Sequence, residues 1–359
     1  MFDQIFGKNT FIGVDIGTSS IKVVELRVSE GKPMLSNYAF LTLGEEMLGK
    51  GDNNSEYFYA VLPRLLKKIF KKAKFSGRDV FVALPSFSGL ITLIDFPEMA
   101  SADMEQAIRF EAQKHIPTSL DEVVINWEIV GKKQIRAGES ALQVLLIAAS
   151  KDKVLKYENL IKMAGLNLKS ISLETFPIVR SLIGNDPGNF VLVDIGARVC
   201  NVILVEKGII KINRSINAGG ADMTKTIAKS MNIDSERASA LKRSAEENFF
   251  APNSAINFFT LELITGEVDR IIKAYAKDNE GQKIDGIVLS GGTSGMTGIT
   301  DYFFSRLKVK TIVGDPLSRI KCDTLLEPVI SNLRSDFSIC IGLALSGVDS
   351  YLKAKNKVK

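Results

Sequence analysis

One pattern occurs twice in this chain and limits its fold more than any other feature. Phe11–Leu26 reads FIGVDIGTSSIKVVEL, and Phe190–Val205 reads FVLVDIGARVCNVILV. The two share the phenylalanine, the Val-Asp-Ile-Gly run and a later valine at the same offsets. Each is an apolar strand, a glycine turn and a second strand, so a duplicated fold is predicted, with one hairpin near the start of each half. In the first copy Gly17 lets the backbone approach a ligand. Successive turn N–H groups form an anion-binding nest, and Thr18, Ser19 and Ser20 add hydroxyls. Asp15, at the strand end, could face a phosphate only through a divalent cation. One such hairpin reads equally well as an ordinary polar turn. Two can close on a phosphate group from both sides.

A chain of 359 residues is too long for one core of usual size, which predicts two α/β domains. The turn Asn185–Gly188, NDPG, divides them. Residues 1–186 form the first, with a β-α-β-β-α insert at about 85–166. Residues 187–337 form the second, with a helical subdomain at about 221–283. Residues 338–359 form a closing helix returning to the first domain, then a tail. A net charge of +5 and a single Trp, without aromatic–basic interleaving, argue against nucleic acid as a partner. Three widely spaced cysteines give neither a metal-ligand spacing nor a disulfide framework and suit a reducing cytoplasm. Met1–Thr10 is too short and too charged for a signal peptide. Uncharged apolar runs such as Ala141–Ser150 fall below the roughly 18 residues of a membrane helix. A soluble protein reaching the membrane through a partner is expected.

Along the chain, Met1–Gly7 reads as a pinned amphipathic turn and Gly44–Ser55 as a loop. Glu56–Lys74 is helical, with Leu62, Leu65, Leu66, Ile69 and Phe70 on one face and Pro63 marking a kink or a fresh start. Its basic residues read as a solvated face rather than a contact with anionic lipid. In the insert, a helix opens at Ser101 and strands cover Val123–Val130 and Ala141–Ala149, with a polar loop at Gly131–Glu139 between the strands. His115, in the last turn of the Ser101 helix, is structural. Glu174 stands where a strand meets a helix, and either orients a water or serves the helix dipole. In the second half Gly219-Gly220 opens one helix, Ser235–Arg243 forms another, and a long helix covers about Ala255–Asp278. Strand Gly286–Leu289 then runs into the glycine turn Ser290–Gly295 and the helix Ile299–Leu307, a geometry suited to a nucleotide base and ribose.

Taken in order, DIGTSSIK, the Glu174 helix, DIGARVCNV, SGGTSG and a closing GLAL helix resemble the actin-like ATPase superfamily over nearly the whole chain. The resemblance implies a two-domain α/β fold around a cleft for ATP and Mg2+. By resemblance, Asp15 and Asp194 would hold Mg2+ through water. Gly17, Thr18 and Lys22 would meet phosphates from one side and Gly196 from the other, and Glu174 would orient water. Gly291 and Gly292 would flank the adenosine, with Lys242 near the nucleoside. Ser19, Ala197, Gly219, Gly220 and Thr293 are also assigned to the cofactor site. Ser239 departs from the acidic residue that often contacts ribose there, although Glu236 lies one turn away. The insert resembles the extra subdomain of FtsA. Its text EAQKHIPTSLDEVVINWEIV, the stretch GGADMTKTIAKSMNIDSERASALKR and the opening MFDQIFGK are more similar to the PilM family of type IV pilus assembly. That similarity implies a cytoplasmic ATP-binding adaptor with slow or absent turnover. Its partner would be the cytoplasmic N-terminal peptide of the inner-membrane protein PilN. The pilus motor ATPase, other inner-membrane assembly proteins and self-association are further implied contacts. Two alternatives stand beside it. One is an FtsA-like filament former, against which the tail SYLKAKNKVK lacks a sustained apolar face. The other is a small-molecule kinase, for which no acceptor pocket is legible.

Overall fold

The computed structural model describes residues 10–43, 57–99, 101–136, 139–251, 254–279, 281–323 and 334–357. The turn expected at Met1–Gly7 and the loop expected at Gly44–Ser55 lie outside them.

The first hairpin is β1 (Thr10–Ile16) and β2 (Ser20–Ser29), followed by β3 (Lys32–Thr42), helix α1 (Leu62–Lys72) and β4 (Asp79–Leu84). An excursion follows through β5 (Gly89–Pro97), α2 (Ser101–Ala112), β6 (Val123–Arg136), β7 (Glu139–Ser150) and α3 (Lys151–Met163). The chain then returns as β8 (Asn167–Leu173) and α4 (Thr175–Leu182). The second half runs β9 (Asn189–Ile195), β10 (Cys200–Glu206), β11 (Ile209–Ile216), α5 (Gly220–Met231), α6 (Ser235–Arg243) and α7 (Phe259–Asp278). It ends with β12 (Gly286–Ser290), α8 (Ile299–Leu307), β13 (Thr311–Val313) and α9 (Ser338–Asn356).

The repeat read from two hairpins extends to whole sheets. One sheet has the order β3-β2-β1-β4-β8 and the other β11-β10-β9-β12-β13, so corresponding strands occupy the same positions. In both, the hairpin pairs antiparallel while its first strand pairs parallel to the strand returning by a crossover. The two turns close alike, with Gly17 N–H donating to Ser20 O at 3.0 Å and Gly196 N–H to Val199 O at 3.1 Å. The β4-to-β8 crossover carries the third sheet, β5-β7-β6, which buries Ile94, Phe96, Val144 and Leu146 under Ile108 and Met104 of α2.

Helices α4 and α9 join the two large sheets. Ile178 and Leu343, from these helices, share one apolar cluster with Val14 and Val82 of the first sheet and Leu192 and Val288 of the second. The approach is close because small residues stand at the crossings. A side chain at Gly13 would collide with the Cys340 carbonyl of α9, and one at Gly342 with the Pro177 carbonyl of α4. Ser335–Asn356 is the one helical stretch among the described residues long and apolar enough to cross a membrane, but 67 % of its most apolar 18-residue window is buried inside the protein. In the sequence its uncharged run is confined to Phe337–Val348 by Asp336 and Asp349, too short for a membrane helix.

Several boundaries differ from expectation. Pro63 marks a fresh start: α1 begins at Leu62, after one π-helical turn over Tyr57–Val61. The polar stretch Gly131–Glu139 is mostly strand, because its backbone continues the ladder with β7, from Gly131↔Gln143 to Arg136↔Glu139. Helix α2 ends at Ala112, so His115 lies beyond it, 3.8 Å from the Glu111 carboxylate. Helix α7 starts at Phe259, not near Ala255. The short β13 was not anticipated. The tail residues up to Asn356 continue helix α9. Cys200 and Cys340 are buried free thiols.

Candidate functional site

Hairpin register builds the centre of the site. Asp15, one residue before the end of β1, pairs across the ladder with Lys22 of β2, and Asp194, one before the end of β9, pairs with Asn201 of β10. The repeat therefore sets a lysine opposite one aspartate and an asparagine opposite the other. Lys22 Nζ lies 3.4 Å from Asp15 Oδ2 and 3.8 Å from Asp336 Oδ1.

Glu174 is the N-cap of α4 and sits between the halves. Its Oε2 accepts from the Ser86 backbone N–H at 3.1 Å and from Asn201 Nδ2 at 3.5 Å. Ser215 Oγ donates to Asn201 Oδ1 at 2.8 Å, which fixes the amide. Beside it, Thr175 Oγ1 lies 3.0 Å from Ser86 Oγ and donates to Asn213 Oδ1 at 3.1 Å. The hydroxyl and amide groups of both halves thus converge around one carboxylate.

These acids are electrostatically crowded. Burial lifts Asp15 above its ordinary value, Lys22 opposes this, and Asp336 adds to it. Burial, opposed by Lys22 and a Ser290 hydrogen bond and reinforced by Asp15, pushes Asp194 up to about 6. Burial, then the negative charges of Asp15 and Asp194, push Glu174 up to about 8. Burial works against the Lys22 charge, yet the carboxylates of Asp15, Asp336 and Asp194 hold its pKa above the usual lysine value. Four carboxylates thus surround one ammonium group, a cluster short of positive charge.

A second group of predicted residues meets at the start of α5. Gly220 N–H donates to Gly196 O at 2.9 Å, and Ala221 N–H to Ala197 O at 2.8 Å, seating the helix on the second DIG turn. A side chain at Gly219 would stand 2.6 Å from Gly196 O, and one at Gly220 would collide with Thr293 Oγ1. Lys242 of α6 is buried and donates to Gly220 O at 2.6 Å. Burial, aided by Arg243, lowers its pKa to about 8. The Gly220 N–H, donated to Gly196 O, is occupied by protein rather than open. Gly291 takes a φ of +84°, which disfavours a side chain there, and an added Cβ would lie 3.1 Å from Asp194 Oδ1. A Cβ at Gly292 would lie 2.8 Å from Asp336 Oδ1. Thr18 is exposed at the tip of its turn, with Ser19 partly covered beside it.

The structure thus gathers Asp15, Lys22, Glu174 and Asp194 in one cluster. Gly196, Ala197, Gly219, Gly220, Lys242 and Thr293 meet in a second, and Gly291 and Gly292 border the first through Asp194 and Asp336. Asp336 was missed: it stands in a short 3₁₀ turn before α9, outside any motif, and its field reaches both Lys22 and Lys242. Asn201 was missed although it occupies the repeat position of Lys22, a signal present in the sequence.

A duplicated five-stranded sheet around paired strand-end carboxylates defines a two-domain protein of the actin-like ATPase class. The ethanolamine utilization protein EutJ from Carboxydothermus hydrogenoformans shares the fold, with TM-score 0.54 and 15% identity over 94% of this chain and 89% of that one. MreB 5 of Spiroplasma citri bound to AMPPNP is similar at TM-score 0.50 and 14% identity, over 97% and 99% of the two chains. A structure of the PilM-PilN type IV pilus biogenesis complex matches at TM-score 0.78 and 24% identity, over 94% and 98%. The family described as type IV pilus assembly protein PilM matches residues 13–348, and the chain belongs to it.

Proposed function

We infer that this protein is an ATP-binding adaptor of type IV pilus assembly. Closure of its halves on Mg-ATP would shape a groove for the cytoplasmic N-terminal peptide of a PilN protein. The carrying observation is the shortage of positive charge between the two hairpins, where Asp15, Asp194 and Glu174 are all pushed toward protonation. Among the described residues no three acidic, histidine or cysteine side chains stand close enough to chelate a metal directly. The site fits an ion carried on phosphate oxygens, which Asp15 and Asp194 would hold through water, and bound Mg-ATP would supply the missing positive charge. Gly17, Thr18, Ser19 and Lys22 would receive phosphate from one half and Gly196 and Ala197 from the other. Lys242, Gly291, Gly292 and Thr293 would border the nucleoside, with Gly219 and Gly220 holding α5 in place. Support for ATP comes also from the fold relative MreB 5, bound to AMPPNP. Support for PilN comes from the PilM-PilN complex. Glu174, whose carboxylate bonds Ser86 N–H and Asn201, would orient a water in this reading. The reading needs no fast turnover, since a ligand shifts a conformation by its differential affinity alone. In this reading the adaptor stays in the cytoplasm and reaches the inner membrane through its partner.

Calorimetric titration of the full chain tests it, first with Mg-ATP and then with the PilN peptide. Saturable one-to-one peptide binding that needs Mg-ATP and is weakened by Asp15→Ala is expected. At a hundredfold excess over its dissociation constant, ATP should stabilise the wild type by about 2.7 kcal/mol. A folded protein that binds Mg-ATP but not the peptide would refute the adaptor. One that ignores Mg-ATP would refute the nucleotide site.

A further inference from the structure

Helix α1 carries a charged surface that the cleft does not use. Its buried residues are Leu62, Pro63, Leu66, Ile69 and Phe70. Its solvent side presents Arg64, Lys67, Lys68, Lys71 and Lys72, all exposed. At 3.6 residues per turn these five cations fall within an arc of roughly 140°, opposite the buried stripe. The helix contains no acidic residue, and among the described residues none of the five pairs with a carboxylate. Elsewhere surface lysines are paired, for example Lys273 with Asp269 and Lys132 with Glu98, each at 2.6 Å. The helix dipole accounts only for Lys71 and Lys72 in the last turn. Five neighbouring like charges repel one another, and no carboxylate among the described residues pairs with them to offset that cost.

We propose that this face of α1 is a direct docking surface for an anionic lipid membrane. The apolar stripe is fixed in the core, so the helix lies against headgroups without inserting and contact is purely electrostatic. Chemistry separates a bilayer from a nucleic acid here. Four of the five cations are lysines, point charges without the planar fork that reads bases. The helix's Phe70 is buried against Phe75, with ring centroids 4.9 Å apart, so neither ring can stack on a base. The arc is convex and suits a flat surface. The proposal is independent of the nucleotide reading and adds a second membrane contact to any made through a partner.

The test is co-sedimentation of the full chain with phosphatidylcholine vesicles, with and without phosphatidylglycerol, at low and high salt. Binding should require phosphatidylglycerol and vanish at high salt. Lys67→Gln with Lys68→Gln and Lys71→Gln should weaken partitioning on the order of 100-fold. Its melting temperature should equal or slightly exceed that of the wild type, because the three side chains are exposed and unpaired and their removal relieves like-charge repulsion. If the triple variant melts lower, the pairs Lys67→Gln/Lys71→Gln and Lys68→Gln/Lys72→Gln carry the same test. Three results would overturn the proposal: no binding to anionic vesicles, binding unchanged by the substitutions, or lysine-dependent binding of mixed-sequence duplex DNA or RNA tighter than to the vesicles.

Discussion

Replacing Glu174 by Gln removes the charge of the most strongly perturbed acid while keeping an oxygen that Ser86 N–H and Asn201 Nδ2 can reach. The Glu174 carboxyl moves from an ordinary 4.5 to about 8, through burial and then the charges of Asp15 and Asp194. The folded protein therefore holds this proton more tightly than the unfolded chain does. The corresponding stability is full below pH 4.5 and is lost as pH rises through about 8. At ~1.4 kcal/mol per pH unit the interval sets a ceiling of ~5 kcal/mol. Glu174 is not fully shielded from solvent, and screening reduces this to ~1.5 kcal/mol, which for a chain of this length is ~2 °C in Tm. Without nucleotide, Glu174→Gln should match the wild type near pH 5 and melt ~2 °C higher near pH 9. Asp15 and Asp194 titrate in both proteins and largely cancel in the difference. The assay is a pair of thermal melts at each pH. An equal difference at both pH values, or a lower Tm for the variant near pH 9, would refute the charge-crowding argument.

Two further outcomes concern packing. Gly13→Ala places a methyl against the Cys340 carbonyl, a backbone atom that cannot swing aside. It should cost about 3 kcal/mol in urea unfolding, whereas Gly31→Ala, in a turn with open space, should cost about 1 kcal/mol from its positive φ alone. Lys242→Met should destabilise the protein by ~1 kcal/mol, because Gly220 O loses its 2.6 Å bond from Lys242 while Thr224 Oγ1, at 2.9 Å, still donates to it. A Lys242→Met protein as stable as wild type would show that water replaces the ammonium.

The sequence alone determined whatever depends on local order. A strand-glycine-strand hairpin is a short-range object, so Asp15 and Asp194 at their strand ends were legible from the repeated Val-Asp-Ile-Gly text. Helical periodicity located α1 and α3, and the order of motifs indicated the fold class. Where polar residues continued a ladder, in Gly131–Arg136, composition misled, because cross-strand pairing with β7 rather than side-chain character keeps that backbone extended. The tertiary structure decided what depends on contacts distant in sequence. Asp336 meets Lys22 only because α9 returns from the end of the chain to the first sheet at Gly13. Ser86 and Asn201 share the Glu174 carboxylate only because the two halves meet at α4. Glu174 itself reads in the sequence as an ordinary N-terminal helix acid. Its displaced pKa comes from burial where the halves meet and then from two aspartates brought in by different strands.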